Sequence, residues 1–110
     1  MLNTKLSAEH LVHIQQNQAI YGMKKTLALG QVTATSTVLS ILGKDNVLHL
    51  LRRHARKDWG DVDEMDWYHN EQALLMGGRI VSSYHIEDEA VFVITEADRS
   101  YTTIMMAYEY

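Results

Sequence analysis

The chain has 110 residues, of which 46% are hydrophobic and 22% charged, with no cysteine and no proline. That is enough for one compact domain spanning 1–110, and it excludes disulfides, thiolate metal sites and cysteine nucleophiles. No apolar run reaches the roughly 20 residues that a bilayer requires, and the first ten residues lack a signal peptide's apolar stretch, so no membrane association and a cytoplasmic location are expected. The net charge of -4 hides an asymmetry. Residues 1–57 carry eight Lys/Arg against Glu9 and Asp45, whereas residues 58–110 carry twelve acids against Arg79 and Arg99. The halves either neutralise one another on folding or present a bipolar surface to a charged partner.

In chain order, Ser7 is placed to cap a helix running to about Tyr21, with Leu11, Ile14 and Tyr21 on one side and Gly22 as the stop, so that residues 1–24 form an N-terminal helix and 26–110 the core. Residues 26–35 are rich in strand formers and read as the first strand. Ser36 then caps a short helix that stops at Gly43. Asp45 or Asn46 opens the next, in which Val47, Leu50, Leu51 and His54 follow helical spacing and put His54 on the core side. Arg52, Arg53, Arg56 and Lys57 gather near its end, where the helix dipole favours cations.

Asp58-Trp59-Gly60 breaks that helix, and Asp61-Val62-Asp63-Glu64 is a capping-box pattern that starts another, ended by Gly77-Gly78. Val62, Met65, His69, Ala73 and Met76 fall on one side of it and Trp67 and Leu74 on another, which predicts packing on both. The remainder reads as a meander of three strands, 79–86, 90–95 and 100–107, joined by short turns. The run Val91-Phe92-Val93-Ile94 marks a central strand. The fold class is α+β: a two-layer arrangement with a roughly four-stranded, mostly antiparallel sheet and three to four helices packed mainly on one face.

From about Leu29 to Tyr110 the chain resembles a family of small bacterial proteins of plasmids and other mobile elements. The resemblance is carried by Leu29-Gly30-Gln31-Val32, His54-Ala55-Arg56, Asp58-Trp59-Gly60-Asp61, Asn70, Gly77-Gly78-Arg79, Ser82 with Tyr84, and Ile94-Thr95-Glu96-Ala97-Asp98-Arg99-Ser100 followed by Thr102-Thr103. The family usually has proline after the first strand and near its end, where this chain has Ser36-Thr37 and Ala107. Members are labelled plasmid-related proteins or type I restriction subunit M. An adenine methyltransferase needs a cofactor-binding α/β domain and an Asn/Asp-Pro-Pro-aromatic motif, and 110 residues without proline supply neither. The resemblance implies a mobile-element accessory protein without an assigned activity.

Two polar islands, around 54–61 and 94–100, are the candidate site. If they meet, His54 with Asp58, Asp61, Glu96 or Asp98 supplies a general base and its carboxylate partner, while Arg79, Arg99 and Trp59 hold a ligand. The competing reading is local: Asp61 caps a helix, Asp58 pairs with a nearby cation, Asp98 starts a turn and Glu96 pairs with Arg99. The six histidines lack metal-ligand spacing, and neither a metal nor a cofactor is expected. Four clustered cations beside many acids argue against DNA binding. The favoured function is binding to another protein or to a second copy in a homodimer, through Asp63, Glu64, Asp66, Trp67 and Tyr101. The alternatives are a small enzyme or ligand-binding domain at the polar islands, and an acidic inhibitor that mimics nucleic acid in a defence or restriction system.

Overall fold

The computed structural model describes residues 26–110, and the expected helix from Ser7 to Tyr21 lies outside them. The order is β1 (Gln31–Ala34), α1 (Ser36–Leu42), α2 (Lys44–Ala55), α3 (Glu64–Met76), β2 (Ile80–Ile86), β3 (Glu89–Thr95), β4 (Tyr101–Met106) and a closing 3₁₀ turn (Ala107–Glu109). This is an α+β fold. The strands form one sheet in the order β1-β4-β3-β2, with β1 parallel to β4 and the other two pairings antiparallel.

The register explains the alternation of residues along the strands. Val32 and Ala34 of β1, Thr102, Ile104 and Met106 of β4, Val91, Val93 and Thr95 of β3, and Ile80, Ser82 and Tyr84 of β2 stand in rows on one face. All are buried, and α1 and α2 close over them with Val38, Leu42, Val47, Leu50 and Leu51. The β2–β3 hairpin turns through Glu87-Asp88, both at positive φ, which is the twist a two-residue turn demands. The first strand is shorter than expected: residues 26–30 reach Gly30 at positive φ, where a Cβ would strike the carbonyls of Arg99 and Ser100.

Three helix starts differ from expectation by one or two residues, each because a neighbouring group makes the cap. Thr35, not Ser36, caps α1 by accepting a hydrogen bond from Val38 N–H (3.1 Å). Gly43 precedes α2 directly, so Lys44 opens it rather than Asp45 or Asn46. Asp63, not Asp61, caps α3, accepting from Asp66 N–H at 2.8 Å; Asp61 is instead drawn to the sheet, its N–H donating to the Ser83 carbonyl.

That last contact belongs to a device protecting the edge of β2. An edge strand exposes alternate N–H and C=O groups that invite aggregation. Ser83 is satisfied by the backbone of residues 59–61: it donates to the Trp59 carbonyl (3.0 Å) and accepts from Asp61. The chain approaches so closely that a Cβ at Gly60 would overlap the Ser83 carbonyl and the Tyr84 ring. Val81 is satisfied by a side chain. The Asn70 carboxamide of α3 donates to the Val81 carbonyl (2.8 Å) and accepts from its N–H (3.1 Å), as a strand residue would. Helices α1 and α2 thus cover one face, and α3 runs along the edge. Asn70→Ala should cost about 2 kcal/mol in urea unfolding, because it orphans both Val81 backbone groups, and should accelerate hydrogen exchange at the Val81 amide. Unchanged exchange there would show that Asn70 is not what protects the edge.

Candidate functional site

The polar islands do meet in part, but inside the molecule. His54 sits on the buried side of α2 and is fully enclosed, as are Ser82, Thr95 and Thr102. Its Nδ1 lies 2.6 Å from Ser82 Oγ and its Nε2 2.8 Å from Thr95 Oγ1. Thr95 Oγ1 lies 2.7 Å from Thr102 Oγ1, which donates to the Leu29 carbonyl at 2.8 Å. The carbonyl can only accept, so the direction of every bond follows. Thr102 gives its single hydroxyl proton to Leu29 and accepts from Thr95. Thr95 has then spent its own proton and accepts from His54 Nε2–H. A neutral imidazole with Nε2 protonated has a bare Nδ1, which accepts from Ser82.

The protonation state agrees with this order. Burial, reinforced by the positive charge of Arg99, pushes the His54 pKa from 6.5 down to about 3. Both ring nitrogens are engaged and no face of the ring is open. Trp59 closes one side, its ring in edge contact with His54 at 5.7 Å. His54 is a core histidine linking α2 to the sheet, and it meets no carboxylate.

The other candidates are also committed. Trp59 is buried, and its Nε1–H donates to Glu71 of α3 at 2.9 Å, so it is a core anchor and not an exposed ligand platform. Asp58 takes a two-point contact from Arg53 and accepts from Gly60 N–H; the Arg53 hydrogen bond chiefly holds its carboxyl below the usual range. Arg53 in turn lies over the Tyr84 ring, whose hydroxyl donates to the Asp58 carbonyl and whose pKa burial raises. Asp61 pairs with His85 in solvent at 2.9 Å.

Arg99 stands at positive φ and aims its guanidinium at backbone carbonyls, those of Gly78, Glu96 and Ala97 through one nitrogen and that of Ala73 through the other. It therefore ties the C-terminal end of α3 to the β3–β4 turn and does not pair with Glu96. Glu96 lies 3.5 Å from Arg79, which also donates to the Tyr110 hydroxyl. Asp98 is exposed and accepts from Ser100 N–H; hydrogen bonding to Ser100 lowers its pKa. Asp61 lines an open groove of about 500 Å³, with Asp63, Asp66 and His69 on the helix side and Val81 and Phe92 on the sheet, whereas Glu96, Asp98 and Tyr101 line a separate shallow one. Among the described residues no three His, Asp or Glu side chains are grouped to hold a metal, and no helix is long and apolar enough to cross a membrane.

What the reading of the sequence missed is on α3. Of the residues expected to pack on two sides, only Ala73 is buried, with Val62 and Leu74 half-covered; Asn70 is buried beside Ala73. Met65, Tyr68, Leu75 and Met76 are 75%, 55%, 81% and 80% exposed, and Trp67 is 52% exposed. At about 100° per residue the first four fall within one stripe, opposite Asn70 and Ala73. The signal was present as apolar residues on two sides of one helix. Packing takes one side and leaves the other to solvent. Glu64 is exposed beside this surface, and Asp63 and Asp66 are exposed on the groove side.

Compared with protein-family models, curated proteins and solved structures, the chain matches none.

Two predictions test the buried chain. Long-range ¹H–¹⁵N spectra should show His54 with a proton on Nε2 and a bare Nδ1 from pH 8 down to pH 5; an imidazolium signal would overturn the assignment. Because the folded pKa is about 3 and the reference value 6.5, the unfolded chain takes up a proton first as pH falls. His54 therefore supports the fold fully above pH 6.5, and that support is lost as pH drops towards 3, by at most about 5 kcal/mol. His54→Gln should be less stable than the parent at pH 7, and urea titrations should show the gap narrowing with acid; a constant gap would contradict the linkage.

Proposed function

We propose that this is an accessory protein that works by binding another protein, with the outward side of α3 as its working surface. The mobile-element setting implied by the resemblance belongs to the same proposal. One observation carries the reading: a rigidly held helix presents four apolar side chains in line to solvent. A scattered exposed leucine needs no explanation, but a contiguous apolar stripe on a helix is the form in which partner helices and grooves are recognised. The helix is held in place by Asn70 on Val81, Glu71 on Trp59 and Arg99 on Ala73, so the stripe cannot turn inward without breaking polar contacts. Enzyme chemistry at the islands has no comparable support, because their one histidine is neutral, enclosed and bonded at both nitrogens.

A photo-crosslinking residue placed in turn at Tyr68, Leu75 and Tyr108 tests the reading in cells. Tyr108 is 68% exposed and outside the helix, and serves as the control. A discrete protein adduct from the two helix positions and none from Tyr108 is expected, and Met65→Asp should abolish it. Adducts formed equally from all three positions, or from none, would overturn the reading.

A further inference from the structure

Resting on that reading, we infer that the partner of α3 is a basic amphipathic helix: a segment with apolar residues at helical spacing bordered by Lys or Arg. The stripe of Met65, Tyr68, Leu75 and Met76 is interrupted by the half-buried Gln72, which completes steps of three, four and three from Met65 to Leu75, the spacing of a seam between two helices. Glu64 and Glu71 lie along one border and His69 along the other, while Asp66 stands beyond His69 on the side of the groove. Residues 58–78 contain six acids and no Lys or Arg. Asp58 and Asp63 serve local structure, but the Glu64 and Asp66 carboxylates make no ion pair among the described residues. Acids in a first turn suit the helix dipole, yet that accounts for their place along the helix and not for the lack of Lys or Arg in the same stretch of sequence.

Charge decides between occupants. A second copy, related by a twofold axis, would set the same patch against itself and bring acid against acid. The arginine cluster of a copy offers no basic apolar seam, since Arg52 and Arg53 lie on α2 and Arg56 caps its end, the apolar side of α2 is spent in the core, and Arg53 is taken by Asp58. A partner with cations along the border of Glu64 gains there, and like-charged competitors are excluded.

The test uses the whole chain and two synthetic helical peptides with one leucine stripe, one flanked by lysines and the other by glutamates, followed by fluorescence anisotropy and sedimentation. The lysine peptide should bind at least about tenfold tighter than the glutamate peptide and weaken as salt rises from about 50 to about 500 mM. Leu75→Asp should abolish binding, and Glu64→Gln with Asp66→Asn should remove most of the difference between peptides. All three substitutions lie on exposed positions and leave the core intact. Equal binding of the two peptides, or a dimer lost in Leu75→Asp with no peptide bound, overturns the basic-partner inference while α3 remains a binding surface. Lysine-peptide binding that survives Leu75→Asp overturns it as charge attraction alone. Absence of both peptide binding and self-association also overturns it, and crosslinking from Tyr68 and Leu75 then decides separately whether α3 binds at all.

Discussion

Everything in this fold is referred to one buried chain of hydrogen bonds, from Ser82 through His54, Thr95 and Thr102 to the Leu29 carbonyl. Its members come from β2, α2, β3, β4 and the segment before β1, so it crosses the whole core with one group from each element. Buried polar groups are costly when unpaired and specify geometry when every partner is present. A one-residue slip of β3 would turn Thr95 to the opposite face and strand the imidazole. The apolar residues around the chain supply the driving force for burial, and the polar chain adds directional contacts that a slipped register cannot make.

Polar contacts also determine what α3 does. The helix contributes little apolar surface to the core, and it is fastened by an asparagine acting as a strand, a glutamate on an indole and an arginine on its own terminal carbonyls. Each fastening is specific in direction, and together they set the rotation of the helix. The same contacts that close the sheet edge therefore decide which side chains face water. Edge protection and surface presentation are two results of one placement.

The sequence was most readable where periodicity had a single explanation. The α2 spacing put His54 in the core, and Val91 to Ile94 marked the central strand. His54 and Arg99 were read as candidate chemistry, while Asn70, Ser82, Thr95 and Thr102 stood out only as residues of the resemblance. Their role depends on contacts up to 73 positions apart, as between Thr102 and Leu29, and no local window contains both ends. The cap positions moved because Asp61 and Asp63 are equally good caps locally, and only the pull of Ser83 on Asp61 separates them. On α3 the expectation of packing on both sides fails, since Ala73 is buried while Met65, His69 and Met76, placed on its side, are exposed, and only the position of the sheet reveals which residues are covered.

The parallel pairing of β1 with β4 bears on how the chain reaches this state. Thr33 and Thr103 meet at a sequence separation of 70, whereas β2, β3 and β4 are joined by short turns. Closing a long loop costs entropy before any contact repays it, so non-local pairings form late. The meander can assemble from local contacts and offer Thr95 and Thr102 to the incoming His54. The first strand to be synthesised is then the last to be paired. Until β4 exists, Val32 and Ala34 have no sheet to join, and a nascent chain must keep them from other edges.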